Sequence, residues 1–530
     1  FLQTALEFAD FTINPSQLKQ ISKDLGITAQ DIIGRLSENF GSLVEKVELN
    51  KGFLNILLKK EIFYKESNKV LASVDEYVKQ SAGEKIVIDY SGPNIAKPFS
   101  VGHLRSTVIG QANYNIHQAL GYEVIGVNHI GDWGTQFGKL IYAVRTWGDE
   151  ETIAKDPINQ LVSLYQRFHT EVENNPAINE EAAAWFRKLE LKDEEATELW
   201  KKCIAWSYEE FDRLYELLGV HIDEVKGESF YADKAQEIIE ILEREGLLKQ
   251  SQGAKIIEFE NMPPAIIQKT NESTLYITRD LATIKYRIET YQPKEIIYHV
   301  GNDQGLHFKQ LFKIAEILGW TKDTKLTIAT HGMIRLPEGK MSTRLGRVVL
   351  LQDLIAEAVE RVKQLDQSRQ GRNLHSHEMD IAISAIKYAD LATNRQSDVV
   401  FSFDRLVDLK GNSAIYLQYA YARASSLISQ YELSYGPFDG QSFTEESIDL
   451  LRLGLTLSEV MMRSASSSQP NILCDFAYKF ASSFNSFYEK NRIITDDKNQ
   501  SEQSVAVIYF FKIILGKTMD LLGITKLEKI

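Results

Sequence analysis

The sequence predicts an α/β protein: a doubly wound parallel sheet, preceded by a small α/β unit and followed by an all-helical bundle. Three observations predict it. From Lys85 onward short apolar runs alternate with helical patterns, beyond about residue 405 the strands stop, and the first seventy residues carry a helix-and-strand pattern of their own. Alternation of strand and helix favours parallel strands with helices on both faces, and ligands then sit outside the carboxyl ends of the strands.

In the N-terminal unit, residues 1–70, "PSQLKQISKDLGI" and "AQDIIGRLSENF" have helical spacing. "LVEKVELN" and "GFLNILLKK" alternate like two strands around Asn50-Lys51-Gly52. A mixed, charged segment near residues 65–84 leads into the central domain, residues 71–405. There "KIVIDY" is a buried-type strand, followed by a Gly/Pro/Asn loop and a helix from about Val101 to Leu120. "GYEVIGVNHI" is a second strand, ending in the glycine-rich turn "GDWGTQFG". Later "KEIIYHVG" reads as a strand, "HFKQLFKIAEILGW" as a helix and "KLTIATHGMI" as another strand. Long patterns rich in Glu, Lys and Trp interrupt this rhythm and read as a helical insertion at about 150–225. Residues 406–530 hold four helical stretches. In one of them Phe476, Phe480, Phe484 and Phe487 recur every three or four residues, an apolar stripe that reads as core.

Composition narrows the class. Hydrophobic residues at 44% and charged residues at 25% fit a soluble globular protein. There is no apolar run long enough to cross a bilayer. Cys203 and Cys474 are too far apart in sequence to suggest a disulfide framework or a thiolate zinc site, so the expected compartment is the cytoplasm. A net charge of −13 argues against a uniform nucleic-acid coat but permits one basic face.

The first chemical signal is "SGPNIAKPFSVGHLRST". Its loop leaves the "IVIDY" strand, and Gly102 and His103 fall in the first turn of the next helix, where free amides and the helix dipole favour a phosphate. Gly102 lets a flat ring approach the backbone, His103 can donate to phosphate oxygens, and Lys97 can reach the same oxygens. Ser100 stands at the start of this helix and keeps a hydroxyl donor near the nucleotide. On the Gly-His pair alone, a tight turn and a nucleotide site are equally consistent. The second signal is "LPEGKMSTRLGRVV", residues 336–349, a loop with Lys340, Arg344 and Arg347 that can close on a triphosphate.

Together with "GDWGTQFGKL", "TLYITRDLAT" and "NSAIYLQYAYARASSL", these motifs resemble the class I aminoacyl-tRNA synthetases, and within them the arginyl-tRNA synthetases of bacterial type. The resemblance covers essentially the whole chain. It implies a Rossmann-like catalytic domain that makes arginyl-adenylate from L-arginine and ATP with Mg2+, then transfers arginine to the terminal ribose of tRNA(Arg). It also implies an adenylation step that needs bound tRNA. It does not imply a separate editing domain. No tightly bound protein metal and no obligate dimer is expected.

A guanidinium calls for carboxylates in a fork-to-fork arrangement. Asp89 and Asp280 read as strand-end acids, with Thr274, Tyr276 and Thr278 on one face of the second strand. Asp280 also suits a helix N-cap. The resemblance places arginine contacts at Tyr276, Asp280 and Gln304, with Asp89, Ser91 and Asn94 near the α-amino group. It places ATP against Pro93, Asn94, Ser100, Gly102, His103, His331, Gly332, Met333, Lys340 and Met341. The catalytic set it implies is Lys97, His103, Lys340, Ser342 and Arg344, with positive charge at Lys97, His103, Lys340 and Arg344. Backbone groups at residues 331–333 can read the adenine edge while Met333 packs on its face. Gly131, Gly134 and Trp133 of the glycine-rich turn are expected to shape the pocket.

Anticodon reading needs aromatics for unpaired bases and cations for phosphates. "IYLQYAYAR" offers Tyr416, Gln418, Tyr419 and Arg423, three of which fall at i, i+3 and i+7 on one helix face. The resemblance gives this helical domain to the anticodon and the N-terminal unit to the tRNA elbow. Two departures leave other readings open. Ser100 stands where the family usually has histidine, and Thr343 where the loop usually has a second lysine. A degenerate relative that binds tRNA without catalysis would share these departures; a lysine-specific class I relative stays open on charge alone, and a cysteine-specific one, with zinc held by thiolates, is disfavoured by two distant cysteines. The resemblance includes loss of that second lysine, with Lys97 as its substitute.

Overall fold

The computed structural model describes residues 3–5, 9–268, 276–335, 350–367, 377–406, 408–409, 411–430, 437–438 and 443–530. Its centre is a five-stranded, wholly parallel sheet of β1 (Lys85–Asp89), β2 (Glu123–Asn128), β3 (Glu224–Val225), β4 (Glu295–Gly301) and β5 (Lys325–His331). The strand order is β5-β4-β1-β2-β3. The chain leaves β1 in one direction and returns on its other side, so the switch point lies between β1 and β4. Asp89 pairs with Tyr298 on one side and Val127 on the other. The carboxyl ends of β1, β4 and β5 therefore open on one crevice, where ligands bind in such sheets.

Helix α1 (Val101–Ala119) follows β1 and crosses to β2. It is buried along most of its length, with the sheet on one side and C-terminal helices on the other. Gly110 makes that approach possible: a Cβ there would lie 2.2 Å from the Cβ of Tyr90, the residue just after β1. The predicted insertion is four helices between residues 150 and 218, placed after the helix Thr135–Trp147 and before β3. A three-stranded antiparallel sheet, Lys249–Ser251, Ala254–Ile257 and Ala265–Gln268, lies between β3 and β4 and was not anticipated.

The structure overturns the strand expected at "TLYITRD". Residues 276 onward form helix α2 (Tyr276–Tyr291), and Thr274 and Leu275 lie outside the described residues. The Thr/Ile alternation is too short to fix a period, whereas Ile277, Leu281 and Ile284 are buried at helical spacing. Asp280 thus ends no strand and caps no helix; it projects from the second turn of α2. The next crossover, between β4 and β5, is helix α3 (Gly305–Ile317).

The N-terminal unit also exceeds its expected elements. Two further strands, Gln3–Ala5 and Ala9–Ile13, extend the expected pair into an antiparallel four-stranded sheet. The charged segment after it is helical, at Lys60–Ala72 and Val74–Val78. At the other end of the chain, the stretch "IDLLRLGLTLSEVMMRSAS" is two helices, Glu445–Gly454 and Leu457–Ser467, broken at Leu455 and Thr456. The phenylalanine stripe is core: Phe484 stacks on Phe511 at 3.9 Å, and Phe476 on Phe480 at 5.5 Å. The buried core runs without a break from α1 through the insertion into this bundle. Among the described residues no helix is long and apolar enough to cross a membrane.

Candidate active site

The crevice is a cleft of about 840 Å3 at the carboxyl edge of the sheet. Its lining brings together Asp89, Ser91, Asn94, Ser100, Gly102, His103, Tyr276, Asp280, Gln304, His331, Gly332 and Met333 from the sequence-predicted set. Pro93 and Lys97 belong to the same loop but stand just outside the lining. Lys340, Met341, Ser342 and Arg344, with Thr343 and Arg347, lie outside the described residues. The described residues on either side of them are paired with the rest of the domain. Ile334–Arg335 pairs with Val399–Val400, and Leu350 bridges to Ser100 while the Leu351 N–H donates to the Phe99 carbonyl at 3.0 Å.

At the start of α1, Ser100 is the N-cap. Its Oγ accepts from the Gly102 N–H at 3.3 Å, and its own N–H donates to Nδ1 of His103 at 3.2 Å. The Ser100 hydroxyl also lies 3.2 Å from that Nδ1. A ring nitrogen approached by an N–H is an acceptor, so the His103 proton resides on Nε2. Burial, reinforced by the nearby Lys97 ammonium, pulls the His103 pKa down to about 4. One expectation is corrected here. His103 is a neutral donor rather than a cation, because desolvation disfavours its charged form. The Ser100 hydroxyl caps the helix and lies against His103 Nδ1, and Ser100 lines the cleft.

On the β1 side, Asp89 is committed to an internal partner: the wholly buried Arg287 of α2 donates Nη1 to its Oδ2 at 2.7 Å. Ser91 is likewise engaged, receiving a hydrogen bond from Thr107 at 2.9 Å and sharing one with Tyr215 at 2.8 Å. Asn94 pairs with Gly131, where a Cβ would fall 2.1 Å from Asn94 Oδ1. Gly131 therefore shapes the cleft as expected, but Trp133 does not. Its ring packs edge-on against Phe186 and Trp200 of the insertion.

At the far end, α2 presents Tyr276, 54% exposed, and Asp280. Two residues missed in the sequence flank them. Nε2 of His307, in the first turn of α3, lies 2.6 Å from Asp280 Oδ2, and Glu228 accepts from Arg279 at 3.0 Å. The Arg279 guanidinium lies 4.9 Å from the Tyr276 ring centroid. Burial raises the Glu228 pKa to about 7, with Arg279 opposing and Asp280 adding to the shift. Asp132 of the glycine-rich turn holds this loop, accepting from the N–H and hydroxyl of Ser229 at 2.8 and 2.6 Å. Gln304 sits exposed in the single 3-10 turn after β4.

At the β5 end, the Gly332 and Met333 amides are not free to read a base. They donate to the Arg395 carbonyl at 2.8 Å and to Asp398 Oδ1 at 2.9 Å. His331 donates Nδ1–H to the Gly332 carbonyl at 3.0 Å, and Met333 is 64% exposed, leaving its side chain to cover a ring.

In the C-terminal bundle, Tyr416, Tyr419 and Arg423 share one face of the helix Ala414–Gln430. Asn485 ties two of them, donating to Tyr416 Oη and accepting from Arg423, each at 2.8 Å. Gln418 is a correction: it is 0% exposed and donates to the Thr525 carbonyl at 3.0 Å, on the opposite side of the helix from solvent. Among the described residues no three His, Cys, Asp or Glu side chains are placed to hold a metal.

Residues 66–403 match the family model "tRNA synthetases class I (R), catalytic domain", and residues 417–530 match the "DALR anticodon binding domain". The parallel sheet, the Gly-His helix start at its switch point and the helical C-terminal domain define a class I aminoacyl-tRNA synthetase. The chain is 39% identical over 514 residues to the arginine–tRNA ligase of Halothermothrix orenii, covering 95% of this chain and 90% of that one. It is 39% identical over 503 residues to that of Clostridioides difficile, covering 93% and 88%. The solved arginyl-tRNA synthetase of Plasmodium falciparum superimposes with a TM-score of 0.84 at 27% identity, over 100% of this chain and 95% of the other. The chain belongs to the arginyl-tRNA synthetase family.

Proposed function

We propose that the chain activates L-arginine with ATP and transfers it to tRNA(Arg). An arginine carboxylate oxygen attacks the α-phosphorus of ATP and pyrophosphate leaves, giving arginyl-adenylate. A hydroxyl of the terminal tRNA ribose then attacks the carbonyl carbon and AMP leaves. The observation that carries this reading is the pairing, across one cleft, of a neutral His103 Nε2–H donor with an acidic end built from Asp280 and Glu228.

At that acidic end the two carboxylates and the Tyr276 ring take the guanidinium, with Gln304 at the rim. Asp89, Ser91 and Asn94 bound the α-amino side. The nucleotide lies over Pro93, Gly102 and the His331–Met333 edge. His103 donates to a phosphate oxygen as charge grows at phosphorus, and Lys97 adds a cation from the same loop. Lys340, Met341, Ser342 and Arg344 complete the set from the loop after β5. Mg2+ arrives with ATP and neutralises its phosphates. The helix bearing Tyr416, Tyr419 and Arg423 receives the anticodon and the N-terminal unit the tRNA elbow. Residues 1–70, 71–405 and 406–530 thus divide elbow contact, chemistry and anticodon contact, in a cytoplasmic monomer.

Amino-acid-dependent pyrophosphate exchange, run across all twenty amino acids with and without tRNA, tests this reading. Exchange with arginine and tRNA together supports it. Silence with every amino acid overturns it in favour of a tRNA binder, and exchange with lysine reassigns the acidic end.

A further inference from the structure

The acidic end of the cleft has a feature that its carboxylates alone do not explain. Asp280 projects from α2 beside Glu228, whose own protonation is raised in part by the Asp280 charge. A lone carboxylate there is free to turn about its last bond. In this site it is held. Nε2 of His307 lies 2.6 Å from Asp280 Oδ2, and because an ionised carboxylate only accepts, the ring nitrogen is the donor. His307 reaches it from the first turn of α3, on the neighbouring crossover, and both residues line the cleft. The other imidazole nearby cannot do this work. His129 stands with its Nε2 3.8 Å from Asp280 Oδ1, beyond hydrogen-bond range, and its Nδ1–H is spent on the Lys226 carbonyl at 3.1 Å.

Resting on the reading of this cleft as the arginine site, we propose that His307 is a positioning residue for guanidinium recognition. Its Nε2–H engages one oxygen of Asp280 and fixes the carboxylate plane, so that Oδ1 and the remaining lone pair of Oδ2 face the substrate as a rigid two-point acceptor. A planar guanidinium needs such a fixed fork, whereas an ammonium accepts a carboxylate in any rotation. His307 therefore acts on specificity, through Asp280, and touches neither ATP nor the reacting atoms.

The test is a double-mutant cycle on the full-length enzyme, read by tRNA-supported pyrophosphate exchange. His307→Leu is expected to raise the arginine KM about ten- to a hundredfold, as for loss of a hydrogen bond to a charged group, with the ATP KM and kcat little changed. His307→Gln keeps an N–H donor and is expected to recover most of the loss. In the Asp280→Asn background, His307→Leu is expected to add little, because the group it orients has lost its charge. Full additivity in the cycle, an unchanged arginine KM in His307→Leu, or equal losses in the Leu and Gln variants would overturn the positioning role. An Asp280→Asn enzyme with normal arginine use would overturn instead the site reading beneath it.

Discussion

Glu228 gives the site a pH signature. Burial is the main cause of its raised pKa, and Arg279 only partly offsets it, so the carboxyl is pushed up from the ordinary glutamate range to about 7. If the guanidinium binds the ionised form, arginine capture requires the proton to leave, and arginine kcat/KM should rise with pH through an inflection near that value. For a single ionisation about one-eleventh of the enzyme is competent one pH unit below the pKa and about ten-elevenths one unit above, so the rate constant should climb about tenfold between those points. His103 does not confuse the profile, because its pKa of about 4 keeps it neutral throughout. The assay is tRNA-supported pyrophosphate exchange at saturating ATP and subsaturating arginine, from pH 5.5 to 8.5, on the wild type and on Glu228→Gln. The variant should lose the inflection and, having lost one charged partner, fall about ten- to a hundredfold at high pH. A wild-type profile flat between pH 6 and 8, or an inflection that survives in Glu228→Gln, would refute the assignment.

Other consequences follow from the same geometry. Lys97→Ala should slow adenylation about a hundredfold with little change in tRNA affinity, and near-normal turnover would rule out its compensating role for Thr343. Arg423→Ala should raise the tRNA KM several-fold at unchanged melting temperature. Gln418→Ala should do the reverse, lowering the melting temperature because it orphans the Thr525 carbonyl, and tRNA filter binding beside thermal melts separates the two. Lys387 is buried against the Leu218 carbonyl at 2.8 Å, and desolvation holds its pKa down to about 8, below the 10.5 of an ordinary lysine. Between those values the unfolded chain binds more protons than the folded one, so this residue's contribution to stability rises with pH. Melting of the wild type relative to Lys387→Met should therefore improve from pH 7.5 to 9.5, and a constant gap would show that the ammonium is not desolvated.

The parts of the molecule that were legible in the sequence are those written in local patterns. The strands "KIVID", "EIIYHVG" and "KLTIATH" are short β-branched runs bounded by turns, and their carboxyl ends carry ligands by topology alone. That rule located Asp89, His103 and His331 on one crevice without any knowledge of side-chain contacts. Applied one strand further, it would also have found His129, the residue just after β2. Gln418 is buried for a reason of helix geometry. It lies two positions from Tyr416, about 200° around the helix, so a face that holds residues 416, 419 and 423 cannot also hold residue 418.

What the sequence could not disclose is the pairing that makes these groups chemical. Asp280 looked like a strand-end acid because five residues of alternation do not distinguish a period of 2 from one of 3.6, and the helix declares itself only at Leu281 and Ile284. Its partner His307 is 27 positions away, and the Asp132 that steadies the Glu228 loop is 97 positions from Ser229. No local motif spans such distances. The contacts exist because the loops after β2 and β3 and the crossovers carrying α2 and α3 end at the same edge of one parallel sheet. The nucleotide end of the cleft is written in short local stretches, a loop with its helix start and the end of β5, and so it reads as motifs. The acidic end is assembled from three separate connections, with Asp132 after β2, Glu228 and Asp280 between β3 and β4, and His307 between β4 and β5, and so the choice of amino acid is where the sequence is least explicit and the fold most informative.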